Sequence, residues 1–80
     1  MSTSPKTAHH ADDQIVTALS QWLARHVTDE ELRRRVAAIG TDELSATQAE
    51  AVTELLTEFG ADRGQNEMLV RETLEALALG

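Results

Sequence analysis

Carboxylates are the reactive groups this chain holds in excess, and three of them are regularly spaced. Glu50, Glu54 and Glu58 fall at every fourth position, which aligns side chains along one face of a helix. Like charges at that spacing repel by about 0.2–0.5 kcal/mol per pair, so an aligned acidic ridge gives up some helix stability. The residue types allow three readings. The ridge is a solvated face, or it is neutralised internally by Arg33, Arg34 and Arg35, or it is a docking surface for a basic partner. Charge complementarity at such a surface raises the association rate and selects partners more than it adds affinity.

Other chemistries have less to work with. The chain has no Cys and no Tyr, and His26 is the one histidine outside the N-terminal segment. A nucleophile needs a base within hydrogen-bond reach and a pocket that excludes water, and no such grouping stands out. His9, His10, Asp12 and Asp13 carry metal-binding atoms, but they fall in or at the edge of a segment read as an unstructured tail, so no preformed metal site is expected. His26 suits the carboxyl end of the first helix, where the dipole favours a cation. No glycine-rich phosphate cradle is present. Neither catalysis nor a cofactor is expected.

The formal charge of −7 is unevenly distributed. Residues 1–40 balance five basic against five acidic side chains, whereas residues 41–80 set two arginines against nine acids. Nucleic-acid affinity comes mostly from neutralising phosphates with Lys and Arg, and an anionic membrane surface makes the same demand. The acidic half works against both. Arg33, Arg34 and Arg35 form the one basic cluster, but successive helical residues point about 100° apart and cannot make a single stripe. They remain candidate interface residues, as does Trp22, which becomes an anchor if the chain dimerises through its first helix. A small DNA-binding regulator, with the third and fourth helices as a helix-turn-helix, is an alternative. Its second helix would present Glu67, Glu72 and Glu75 to phosphates.

The elements that must position these groups follow from apolar spacing. Ile15, Val16, Leu19, Trp22 and Leu23 share one face of a helix over about 13–26, with Asp12 as its cap. Thr28 and Glu31 have capping-box spacing, opening a helix that buries Leu32, Val36 and Ile39 and ends at Gly40. Ser45 and Gln48 form a second such box. The helix after it, about 46–59, carries Val52, Leu55, Leu56 and Phe59 inward, with Gly60 as a left-handed terminator. Residues 61–65 read as a polar loop. Asn66 then caps a last helix that buries Leu69, Val70, Leu74 and Leu77, with Glu67–Arg71 and Arg71–Glu75 pairs on its outer face.

Residues 39–44 (Ile, Gly, Thr, Asp, Glu, Leu) and the ending Glu58, Phe59, Gly60 resemble the Gly-x-Asp-Ser-Leu motif and second-helix terminus of acyl carrier proteins. The resemblance covers about 22 residues and implies a four-helix carrier-like fold. Glu43 stands where that family has the serine that carries phosphopantetheine. A carrier-like protein without the prosthetic group is therefore a further alternative.

The fold expected is all-α: a small four-helix bundle over residues 12–80, as one domain behind a disordered tail at 1–11. No apolar run reaches the ~20 residues of a membrane span, and the first 13 residues lack the apolar core of a secretory signal. The function expected is non-catalytic protein–protein interaction by a small acidic adaptor, docking or regulatory protein in the cytoplasm, acting through an acidic helix face. Its partner is a protein with a basic surface or a second copy of the chain.

Overall fold

The computed structural model describes residues 11–80 as four helices with no strand among them. They are α1 (Ala11–Leu23), α2 (Asp29–Ile39), α3 (Ala46–Glu58) and α4 (Arg63–Leu79). The fold is all-α, as expected. The tail expected at 1–11 lies outside the described residues except for Ala11, which is already helical and buried. Asp12 is accordingly not a cap. It sits in the first turn of α1, and its side chain accepts from the backbone N–H of Asp13 at 2.8 Å.

One apolar cluster draws side chains from all four helices. Ile15, Leu19 and Trp22 come from α1, Leu32 and Val36 from α2, Val52 and Leu55 from α3, and Val70 and Leu77 from α4; Phe59 joins them just past α3. Burying side chains of this size contributes on the order of 1.5–3 kcal/mol each. Val16, Leu23, Ile39, Leu56, Leu69 and Leu74 pack against the cluster while keeping some exposure. The stripes expected for α1, α2 and α3 are turned inward, but the buried face of α4 is Asn66, Val70, Thr73 and Leu77, with the expected Leu69 and Leu74 only partly covered. Packing is most extensive between α3 and α4, then between α1 and α2, and much slighter between α2 and α3.

The helix ends show how backbone needs override simple spacing. At α2 the Thr28 side chain accepts from the Glu31 backbone N–H at 3.1 Å. The reciprocal half of that box is missing, because the Glu31 carboxylate is taken by Arg34 and Arg35. Gly40 closes α2 at φ 78°, ψ −178°, a conformation essentially confined to glycine. At α3 the box is complete: Gln48 N–H donates to Ser45 Oγ at 3.1 Å, and Ser45 N–H donates to Gln48 Oε1 at 3.0 Å. The Gln48 amide nitrogen also donates to the Leu77 carbonyl at 3.0 Å, tying the start of α3 to the end of α4.

The α3–α4 turn departs from expectation at three points. Phe59, with φ −61° and ψ 121°, ends α3 in an extended conformation, and Gly60 is not left-handed. Asp62, rather than Asn66, caps α4, accepting from the N–H groups of Gly64 and Gln65 at 3.0 and 3.4 Å. Residues 63–65 are therefore the first turn of α4 and not a loop. Asn66 is buried inside that helix, where its amide donates to the Gly60 carbonyl at 2.8 Å and accepts from the Gly60 N–H at 3.0 Å. Both backbone polar groups of Gly60 are satisfied by one side chain, which is how the buried Asn66 avoids a desolvation penalty.

The end of α1 also differs. The helix stops at Leu23, and Arg25 takes a left-handed φ of 66°. Arg25 N–H donates to the Trp22 carbonyl at 2.9 Å and His26 N–H to the Gln21 carbonyl at 2.8 Å. Those two bonds make a Schellman ending, whose left-handed position is usually glycine. His26 lies exposed just beyond it.

Candidate functional site

Glu50, Glu54 and Glu58 all lie on α3 and all are exposed. The inward face of the same helix is occupied by Gln48, Val52 and Leu55. None of the three glutamate side chains has a hydrogen bond or ion pair among the described residues; the ion pairs there join Arg34 and Arg35 to Glu31 and Arg63 to Glu67. Glu58 is the last residue of α3, where the helix dipole disfavours an anion.

The arginines expected to neutralise the ridge are engaged elsewhere. Arg34 Nη2 donates to Glu31 Oε1 at 2.8 Å and Arg35 Nε to Glu31 Oε2 at 3.0 Å. These hydrogen bonds, first that of Arg34 and then that of Arg35, hold the Glu31 carboxyl below its ordinary pKa. Arg35 Nη1 also reaches Gln21 Oε1 at 2.9 Å, joining α2 to α1. Arg33 points toward α3 but bypasses its glutamates. Its guanidinium donates to the Phe59 carbonyl at 2.9 Å and lies 5.7 Å from the centre of the Phe59 ring. A cation at the carboxyl end of a helix satisfies a free carbonyl and complements the dipole.

Trp22 is 0% exposed, so its ring has no surface with which to anchor a second chain. It meets Phe59 edge-on, with centroids 5.4 Å apart and planes at 65°. Its indole N–H donates to Asp29 Oδ1 at 2.7 Å. Sequence reasoning did not single out Arg63, which stacks on the indole: its guanidinium carbon is 4.1 Å from the Trp22 ring centre, and Nη2 donates to the Trp22 carbonyl at 3.1 Å. Arg63 Nε also bonds Glu67 Oε2 at 3.2 Å. Glu67 is thereby the partner of Arg63, not of Arg71 as expected, and Arg71 forms no ion pair among the described residues.

No group of three or more metal-ligating side chains occurs among the described residues; His9 and His10 lie outside them. A shallow depression of about 570 Å3 runs along the outward side of α4, lined by Asp62, Gly64, Gln65, Met68, Leu69 and Glu72. Its two carboxylates, Asp62 and Glu72, have no histidine, lysine or hydroxyl side chain beside them in that lining. Glu43 is exposed in the α2–α3 turn, and the nearby Ser45 hydroxyl serves as the α3 cap. No described helix is long and apolar enough to cross a membrane. Comparison with protein-family models, curated proteins and solved structures finds no match for the chain.

Proposed function

We propose that the chain is a non-catalytic protein–protein interaction module, working in the cytoplasm, that offers the outer face of α3 to a protein with a basic surface. One observation carries the reading. Glu50, Glu54 and Glu58 stay exposed and unpaired among the described residues although three arginines occupy the neighbouring helix. Internal neutralisation is thereby removed as a reason for the ridge. Its mutual repulsion, about 0.2–0.5 kcal/mol per adjacent pair, is left without a compensating contact inside the fold. A cationic partner relieves that repulsion on contact, and the net negative charge of residues 41–80 extends the attraction to longer range.

The test is charge reversal, with E50K, E54K and E58K combined in one variant. Helicity and thermal midpoint should stay close to wild type, because exposed side chains exchange one set of like charges for another. Affinity capture from the native host should retain a protein with the wild-type chain and lose it with the variant. Elevated salt should weaken that capture. Identical capture profiles for the two chains would refute the proposal. Light scattering, run in parallel, distinguishes a foreign partner from a second copy of the chain.

A further inference from the structure

We draw no further inference here: the strongest candidate, the outward face of α4 on which Met68 stands 63% exposed beside Gln65, Leu69 and Glu72, is the solvent side of a single helix, and nothing in the structure shows what covers it.

Discussion

Arg63 binds Trp22 twice, once through the π face of the indole at 4.1 Å and once through the backbone carbonyl at 3.1 Å. It opens α4 while capping the carboxyl end of α1, 41 residues earlier. A cation at the first position of a helix opposes that helix's own dipole. Here the opposition is offset by the carbonyl end of α1 and by Glu67 one turn along. Arg33 does the same for α3 at Phe59, and the two aromatic rings touch. Two cations and two rings therefore join three helix ends at one end of the bundle.

Replacing Arg63 by Ala removes a backbone hydrogen bond, a cation–π contact and an ion pair. Together these should cost about 2 kcal/mol, which lowers the thermal midpoint by roughly 8–16 °C in a domain of this size. Arg63→Lys should recover only part of the loss, since an ammonium lacks the planar fork that stacks and donates together. Thermal unfolding of the three proteins checks this; equal midpoints would show that the contact is energetically idle.

Gln48→Glu separates two jobs of one side chain. Capping boxes accept Glu as readily as Gln, so local rules allow the change. The structure does not, because the amide nitrogen donates to the Leu77 carbonyl and an ionised carboxylate has no proton to give. At neutral pH the variant should lose about 1–3 kcal/mol, the cost of an unsatisfied buried group. Burial beside a carbonyl raises the folded-state pKa of the new carboxyl. The variant is then closest to wild type in acid, below the unfolded carboxyl value, and falls behind as pH rises through the folded-state value. Urea titrations across that range should show the gap widening with pH.

Arg25 holds a left-handed backbone that costs an L-residue about 1–2 kcal/mol relative to glycine. Arg25→Gly should therefore stabilise the fold by about 0.5–1 kcal/mol after the extra chain entropy of glycine is deducted. The denaturation midpoint should rise without a change in slope. A fall would mean that the exposed guanidinium makes a contact of its own.

Glu31 should respond to acid and salt together. Its carboxyl is held below the ordinary value by Arg34 and then Arg35. Its contribution to stability is therefore present above the unfolded carboxyl value and disappears as pH falls through the lowered folded-state value. The pair geometry is exposed, with Arg34 67% and Arg35 44% accessible, so added salt should reduce the shift. Carbon-detected titration of the Glu31 side chain, with Arg34→Ala and Arg35→Ala as controls, measures it directly. The Arg34 change should move the midpoint more.

Apolar spacing made α1, α2 and α3 legible because each stripe has one helical register that buries it. Leu32, Val36, Val52 and Leu55 are all inside. The ridge was legible for the same geometric reason, since residues four apart share a face. The start of α4 was not. Asp62 and Asn66 are equally good caps by residue type, and only the position of Gly60 decides which side chain is needed elsewhere. The arginines were illegible in a different way. Arg33 and Arg63 choose carbonyls 26 and 41 residues distant, and no local pattern specifies a bond to a backbone atom in another helix.

The Asn66 amide grips both the N–H and the carbonyl of Gly60, while Gln48 fastens the far ends of α3 and α4 to each other. These two helices are thus tied together at both ends. A molecule arriving at the acidic edge of α3 would find the helical spacing of Glu50, Glu54 and Glu58 already in place, so only the side chains and not the backbone would have to be ordered on contact.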